Sequence, residues 1–216
     1  MQLDVERPWL TCTKCPLGKT RTKTVIGYGN PSTKFVCVGE GPGMTEDRIG
    51  KPFVGDSGDI LNAFLDAAGL PREFVFVDNC VACMPFNAEG KRKVIRPPNP
   101  AELAACKPRL MAALQAIDPV LILAIGGTAF RVLTDCKDPI SKARGDVFYA
   151  RIPGKEMEVL VPLIPIYHPA YLMRSENIKN RRREGSTWEQ TAKDIAAAVT
   201  IFKALVKAYY NVDIGG

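Results

Sequence analysis

Four short apolar runs, separated by longer stretches of mixed polarity, constrain the fold of this chain more than any other feature. They span residues 34–39, 74–78, 119–125 and 159–167. The first three are nearly uninterrupted, which is typical of strands buried on both faces of a parallel sheet. Pro162 and Pro165 interrupt the fourth run and favour an irregular or edge strand. Because helical patterns separate the runs, the sequence predicts an α/β fold, a three-layer α/β/α sandwich around a central, mainly parallel four-stranded sheet.

Helical patterns fill most of the intervals between these runs. Apolar side chains recur at intervals of three and four residues over 57–69, which predicts a helix that ends at a glycine. The sequence Asn-Pro-Ala-Glu at 99–102 is a capped helix start, and Pro108 is expected to kink or interrupt that helix. Ser186 opens the last helix in a capping box. A small hairpin is expected around 147–152.

Composition limits the class of protein. The 216 residues are 46% hydrophobic and 24% charged, which predicts one globular domain spanning residues 1–216. The chain lacks an apolar run of bilayer-spanning length and a signal-peptide pattern, so we expect a soluble, cytoplasmic monomer without membrane attachment. The net charge is +6, and basic residues cluster at 14–23, 91–96 and 179–183. Such clusters attract a polyanion, although solvated loop charge explains each one equally well.

Polar groups follow the ends of the predicted strands, where open parallel sheets bind their ligands. Gly39, Glu40 and Gly41 follow the first strand, Asn79 follows the second, and His168 follows the fourth. Taken alone, Asn79 is more often a turn residue, and His168 could simply end a strand. Glu40 has no packing role between two glycines. The convergence of these groups on one rim therefore favours a functional site.

The same groups suit a pyrimidine ligand. A carboxamide such as Asn79 can donate and accept together, which matches the O4 and N3–H edge of uracil. Phe53 could stack on the base. His168 could donate to the O2 oxygen, where charge develops as the glycosidic bond breaks. Glu40 could position a water molecule or stabilise an oxocarbenium-like sugar.

Longer motifs add a family resemblance. The segment 39–61, GEGPGMTEDRIGKPFVGDSGDIL, resembles the first motif of the family 4 uracil-DNA glycosylases, commonly GEAPGxxEDxxGxPFVGxAGxLL. Asn79-x-x-x-Cys83 is similar to the family's NxxxCRP, and residues 168–174, HPAYLMR, are similar to its HPAxLLR. With Cys12-x-x-Cys15 and Glu102-x-x-x-Cys106, these motifs cover most of the chain in family order.

The resemblance implies an activity and a role for each site residue. The chain would flip uracil out of DNA and hydrolyse its N-glycosidic bond, leaving an abasic site for base excision repair. Glu40 would carry the water, and His168 would stabilise the departing base. Leu172 and Arg174 would enter the DNA double helix at the position that the flipped nucleotide vacates. The base would contact Gly39, Gly41, Phe53 and Asn79.

Seven cysteines are an odd number for a disulfide framework. A Cys-x-x-Cys turn such as Cys12 to Cys15 directs two sulfurs at one centre, and the spacing alone leaves zinc as an alternative to an iron–sulfur cluster. The resemblance implies a structural 4Fe-4S cluster held by Cys12, Cys15, Cys83 and Cys106. Cys80 forms a second Cys-x-x-Cys with Cys83, but we interpret it, like Cys37 and Cys136, as a core or incidental residue.

Two departures from the family pattern bear on function. Gly41 stands where the family usually has alanine, which loosens the floor without removing a polar group. The loop at 84–98, MPFNAEGKRKVIRPP, is longer than usual and lacks periodicity, so we expect an exposed basic loop. It resembles the KRRIH loop of relatives that crosslink to uracil-DNA through a histidine. Ile95 occupies that place, so turnover is expected, with phosphate contacts from Lys91, Arg92 and Lys93.

Two alternatives remain open at this point. The changed loop and floor could admit a modified pyrimidine instead of uracil. The chain could also be a catalytically silent DNA-binding relative that keeps the basic loops. The joint presence of Glu40, Phe53, Asn79 and His168 argues against the silent relative, because a binding module does not need all four.

Overall fold

The structure is a computed structural model that describes residues 1–90, 92–154, 156–175, 180 and 183–211, with the backbone alone at Glu89. Its strands are β1 Tyr28–Gly29, β2 Phe35–Gly39, β3 Phe76–Asn79, β4 Phe86–Glu89, β5 Arg92–Ile95, β6 Leu121–Ile125, β7 Phe148–Pro153 and β8 Glu158–Ile166. Its α-helices are α1 Met44–Ile49, α2 Asp56–Ala67, α3 Pro100–Ile117, α4 Gly127–Thr134, α5 Ile140–Ala143, α6 Pro169–Ser175 and α7 Thr187–Tyr210. Short 3-10 helices span Asp4–Trp9, Pro16–Lys19, Pro31–Thr33 and Arg72–Phe74.

The central sheet has the strand order β1-β3-β2-β6-β8-β7. The four inner strands are parallel, which confirms the predicted core of the sheet. β1 and β7 add an antiparallel strand at each edge. Residues 147–152, where a small hairpin was expected, instead form most of β7, which pairs antiparallel with β8, the predicted fourth strand. The sequence did not indicate β1, because two residues are too few to show a periodic pattern.

Alternate residues of β2 bury themselves on opposite faces of the sheet. Phe35 and Cys37 pack in the apolar layer formed with α2 and α7. Val36 and Val38 pack in the layer formed with α3 and α4. The Phe35 ring meets Phe202 of α7 edge to face, with 5.0 Å between ring centroids. Because full burial of such side chains stabilises a fold by about 1.5–3 kcal/mol each, both layers hold the sheet, and the predicted three-layer sandwich is confirmed.

The two prolines of the fourth run are accommodated in an unexpected way. β8 is one continuous strand, and it pairs with β7 over residues 158–163 and with β6 over residues 163–166. Pro162 therefore lies where only β7 is a partner, and Pro165 lies where only β6 is a partner. A proline lacks the backbone N–H that would donate a hydrogen bond to a neighbouring strand. Each of these two prolines lies where one side of β8 has no partner strand.

The helix starts follow the predicted capping. Asn99 Oδ1 accepts from the Glu102 N–H at 2.9 Å, and Glu102 Oε2 accepts from the Asn99 N–H at 2.8 Å. Ser186 Oγ accepts from the Glu189 N–H at 3.1 Å. Of the kink or interruption predicted at Pro108, the interruption does not occur, because α3 continues through this residue. In the part of the chain that the structure describes, no helix combines the length and apolarity needed to cross a membrane.

The region predicted to be an irregular basic loop is a β-hairpin. β4 and β5 pair antiparallel, with Phe86 opposite Ile95 and Asn87 opposite Val94. Its strands have four residues each, and most of the described side chains of β5 are exposed, so hydrophobic alternation could not reveal them. The hairpin stands apart from the central sheet and reaches the end of the sheet where the candidate site lies.

Candidate active site

The carboxyl ends of the four parallel strands open into one cavity of about 660 Å³. Its lining includes Glu40, Gly41, Phe53, Asn79 and His168. The structure therefore brings together groups that lie far apart in the sequence. The cause is topological, because parallel strands end at the same edge of a sheet and the loops that follow them meet there.

Gly39 allows two of these groups to approach each other. A Cβ atom at Gly39 would lie 2.5 Å from Asn79 Oδ1 and 2.6 Å from Phe53 Cζ, closer than any side chain tolerates. Asn79 is only 2% exposed, and its carboxamide has no hydrogen-bond partner among the described residues. Because Asn79 lines the cavity, its carboxamide is available to a ligand there.

Phe53 is held in a strained backbone conformation. Its φ is +53°, in the left-handed region that non-glycine residues rarely adopt. The turn packs so closely on α2 that a Cβ at Gly58 would lie 2.1 Å from the Phe53 oxygen. The Phe53 ring lies 6.4 Å from that of His168, with 27° between the ring planes. Strain of this kind is typical of ligand-binding sites, where surrounding contacts impose it.

His168 is a neutral imidazole whose proton position is set by the backbone. Its Nδ1 accepts a hydrogen bond from the Ala170 N–H at 3.1 Å, so the ring proton lies on Nε2. Burial, together with the smaller effect of the Arg174 charge, lowers the pKa of His168 to about 4. Gly126 makes room for the residue, because a Cβ there would lie 3.2 Å from His168 Cβ. His168 can therefore donate from Nε2 without carrying a charge.

Glu40 is oriented by a residue that the sequence analysis missed. Thr128 Oγ1 donates to Glu40 Oε2 at 2.5 Å. The other carboxylate oxygen of Glu40 has no partner in the part of the chain that the structure describes. Thr128 lies in the first turn of α4, directly after the glycine pair that follows β6. The position of Thr128 directly after this glycine pair could have indicated its role from sequence, since α4 starts at the rim of the cavity.

The two acidic residues that follow Glu40 in sequence have structural roles. Glu46 accepts hydrogen bonds from the N–H groups of Gly43, Val54 and Gly55, at 3.1, 3.0 and 2.8 Å. It thereby fixes the loop that carries Phe53. Asp47 accepts from the Thr22 N–H at 2.9 Å, which ties the N-terminal segment to α1. Of these three acids, Glu40 alone remains oriented for chemistry.

The β4–β5 hairpin forms one rim of the cavity through residues 95–97. Arg96 is fixed there by a two-pronged ion pair with Glu102, at 2.7 and 2.8 Å. Arg92 and Lys93 are exposed, and Lys93 Nζ lies 4.6 Å from the centroid of the Phe86 ring. The predicted phosphate contact Lys91, and most of the basic cluster at 179–183, lie outside the described residues.

The prediction that Leu172 enters DNA would require α6 to shift when DNA binds, because the side chain is buried in the structure. Leu172 is 0% exposed and packs inside the protein, with its carbonyl accepting from Trp188 Nε1 at 3.3 Å. Tyr171 and Arg174 are the exposed neighbours. Met173 and Arg174 line the cavity. A seven-residue helix has too little periodicity for its buried side to be read from sequence.

A second, smaller cavity of about 20 Å³ is lined by all four predicted cysteine ligands, Cys12, Cys15, Cys83 and Cys106. Two of the sulfurs accept hydrogen bonds, Cys83 from Arg21 Nη1 at 3.7 Å and Cys106 from the Ala82 N–H at 3.4 Å. The remaining cysteines do not line this cavity. Among the described residues, no three histidine, cysteine or carboxylate side chains are arranged to hold a single metal ion.

These features define a three-layer α/β protein with a ligand site at the carboxyl ends of its parallel strands. Residues 26–192 match the sequence model of the uracil DNA glycosylase superfamily. Because the match covers more than half of the chain, and because close relatives agree with it, this chain belongs to that superfamily.

Three similar proteins are each named type-4 uracil-DNA glycosylase. The protein from Thermotoga maritima is 41% identical over 172 residues, which cover 79% of this chain and 82% of the relative. The protein from Archaeoglobus fulgidus is 37% identical over 174 residues, with the same coverage. The protein from Pyrobaculum aerophilum is 34% identical over 172 residues, covering 78% of this chain and 82% of its own length.

The glycine requirement at Gly39 can be tested against its neighbour Gly41. Gly39→Ala forces a methyl group against both Asn79 and Phe53, so we expect it to lower the free energy of unfolding by about 1–3 kcal/mol. Gly41→Ala meets Val81 Cγ2 at 2.8 Å, a single side-chain methyl, so its cost is expected to be smaller. Urea unfolding measures both. Equal losses in the two variants would contradict the close approach at Gly39.

The protonation state of His168 can be observed directly by NMR, because it is the only histidine in the chain. We expect a neutral ring with its proton on Nε2 between about pH 5 and pH 8, since burial keeps the pKa near the low value given above. The folded pKa lies below that of the unfolded chain. His168 therefore costs no stability above about pH 6.5 and reduces it as the pH falls toward the folded pKa.

Arg174→Met provides the control for that titration. Loss of the Arg174 charge should raise the pKa of His168 modestly, while burial, the larger cause, keeps it below the value of a free histidine. A ring that titrates near about pH 6.5, or that carries its proton on Nδ1, would show that the backbone contact does not control this residue.

Proposed function

We propose that this chain is a monofunctional uracil-DNA glycosylase that hydrolyses the N-glycosidic bond of a uracil flipped out of DNA. One observation carries the proposal. Glu40, Phe53, Asn79 and His168 meet in a single cavity, in a chain that is 41% identical to a type-4 uracil-DNA glycosylase. The cavity lies at the carboxyl ends of the parallel strands, and its size can accommodate an everted nucleotide.

Base recognition follows from Asn79 and Phe53. The unpartnered Asn79 carboxamide donates to uracil O4 through its N–H₂ group and accepts the N3–H through its oxygen. Cytosine presents the opposite pattern at these two positions, so the same amide orientation leaves both sites mismatched. The Phe53 ring stacks on the face of the base and sets its plane. Because Gly39 fixes the Phe53–Asn79 approach, both groups are in place before the base arrives.

Bond cleavage is assisted by His168 and Glu40. As the C1′–N1 bond breaks, its electron pair stays with uracil, and negative charge accumulates on O2. The neutral Nε2–H of His168 donates to that oxygen and stabilises the anion. A water molecule held by the free oxygen of Glu40 adds to C1′ and gives its proton to the carboxylate. Thr128 keeps that carboxylate in a single orientation.

The DNA backbone is the second part of the substrate. Arg174 of α6 is exposed and lines the cavity, and Arg92 and Lys93 are exposed on the hairpin whose residues 95–97 form one rim. Cationic side chains around a cavity of this kind bind phosphates and hold the flipped nucleotide without reading sequence. Ile95 is 49% exposed at the same rim, where its side chain cannot form a covalent bond to the sugar.

We propose further that Cys12, Cys15, Cys83 and Cys106 hold a 4Fe-4S cluster. The fit rests on four thiols that share one cavity and on N–H donors to two of the sulfurs. N–H···S bonds of this kind are typical of cluster ligands. When bound, the cluster supplies a cross-link between the N-terminal segment, the strand-end loop and α3, and hydrolysis itself needs no electron transfer.

The activity is tested by incubating the protein with an oligonucleotide that contains one uracil and measuring free uracil in a single turnover. We expect Asn79→Ala and His168→Ala each to slow release by about 10²–10³-fold, because each removes a donor that acts on the developing charge or the base edge. Glu40→Gln should slow release by about 10²–10⁴-fold. Glu158→Gln, whose side chain is 68% exposed on β8, is the matched control and should keep the wild-type rate.

The same assay separates the alternatives. Faster release of a modified pyrimidine than of uracil, in a panel of otherwise identical oligonucleotides, would show that uracil is not the preferred base. Tight binding of uracil-DNA without any released base would instead indicate a silent binding protein and would overturn the proposed activity.

The cluster is tested on protein purified without oxygen. We expect about four iron and four sulfide per chain, with the broad visible absorption of an iron–sulfur centre. Cys83→Ser should remove most of the iron and lower the melting temperature, because the cross-link is lost. Cys136→Ser, a cysteine outside the cavity, should keep both. Stoichiometric zinc in place of iron would contradict the assignment.

A further inference from the structure

A buried network of charged groups lies directly behind Asn79, and the chemistry above does not use it. Arg109 Nη1 donates to both carboxylate oxygens of Asp78 at 2.8 Å, and it also donates to Glu6. Arg109 Nη2 donates to the main-chain oxygen of Asn79. The three charged side chains are each at most 1% exposed. A guanidinium and two carboxylates thus share an interior site behind the residue that faces the base.

These contacts hold the backbone on both sides of the Asn79 Cα atom. Asp78 Oδ1 accepts from the Asn79 N–H at 2.7 Å, while Arg109 binds the Asn79 carbonyl. On the other side, β3 pairs with β2 so that Asn79 lies opposite Gly39. The direction of a side chain depends on the φ and ψ angles of its own backbone. The network therefore controls how the Asn79 carboxamide enters the cavity.

Stability alone does not account for this network. Glu6 Oε2 and Arg109 Nε have no hydrogen-bond partner within the described residues. Burial, together with the charge of Asp78, raises the pKa of Glu6 to about 7. Two carboxylates beside one guanidinium carry a desolvation cost that an apolar cluster of the same shape would avoid. The position of the network, in contact with Asn79, points to a role in geometry.

We propose that Arg109 is a positioning residue for base recognition, acting through the main chain of Asn79. The inference rests on the proposed function of Asn79 as the reader of the uracil edge. Lysine cannot replace the arginine, because one ammonium group cannot reach the carbonyl and both carboxylates with the planar geometry of a guanidinium. Arg109→Lys keeps the charge of the network and removes the contact with the carbonyl.

A double-mutant cycle tests the proposal. Arg109→Lys should lower the single-turnover rate of uracil release by about tenfold in the wild-type background. In the Asn79→Ala background, the same change should have an effect of less than about twofold, since the group that Arg109 positions is gone. The loss of melting temperature should be the same in both backgrounds. Equal rate losses in both backgrounds would overturn the proposal, because they would show that Arg109 acts on the fold alone.

A second measurement does not depend on activity. The side-chain amide signals of Asn79, identified by their loss in Asn79→Ala, should shift and broaden in Arg109→Lys, and unchanged signals would overturn the proposal. If the wild-type protein releases no uracil, the proposed function fails, while the amide signals still decide the role of Arg109. If Arg109→Lys does not fold, Asp78→Asn, which weakens the same clamp, replaces it in both measurements.

Arg72→Lys is the matched control for both measurements. Arg72 also binds a main-chain oxygen beside β3, that of Val75, at 3.1 Å, but at the opposite end of the strand from the cavity. It should lower stability without changing the rate of uracil release or the amide signals of Asn79. A change in either readout for Arg72→Lys equal to that of Arg109→Lys would remove the case for a specific role.

Discussion

The missing Cβ at Gly39 is the constraint on which the site depends. It lets the Asn79 amide and the Phe53 ring approach the end of β2 more closely than any side chain would allow. Gly58 does the same for the backbone of Phe53, and Gly126 does it for His168. The site is thus built from close backbone approaches, which leave its side chains little freedom. Groups fixed in this way lose little conformational entropy when a ligand binds.

The parallel core of the fold could be predicted from the sequence because each inner strand is a short apolar run buried on both faces. The same reasoning placed Asn79 and His168 on one rim, since parallel strands end together. It could not place β1 or the β4–β5 hairpin, whose pairing depends on tertiary contacts and whose side chains follow no apolar period. For β8, the prolines indicated an edge. Each half of β8 is in fact paired on one side only, because β7 and β6 both pair with it at a single residue, Leu163.

Residue roles within the site were less accessible than its location. Glu40 and Glu46 are close in sequence and chemically alike, yet one faces the cavity and the other accepts three backbone N–H groups. Thr128 carries no signal until the start of α4 is placed at the same rim. Leu172 is apolar in a motif associated with DNA, but the rotation of α6 buries it. These outcomes depend on side-chain direction, which a motif does not encode.

The separation of the two cavities indicates how the cysteines serve function. The cavity lined by the cysteines shares no lining residue with the cavity that holds Asn79 and His168. Groups at Cys12 and Cys83 therefore influence the base only through the backbone.

The described N-terminal segment before β1 contains no regular structure beyond two 3-10 helices, and few of its side chains are buried. The buried ion pair of Glu6 with Arg109 ties this segment to α3. The segment's other contacts include the Val25 N–H with the Ala82 carbonyl and the Thr22 N–H with Asp47, which lead to the loops that border the cavity. A cluster held by the four cysteines, as proposed above, would add a cross-link from this segment to α3 and to the loop that follows Asn79.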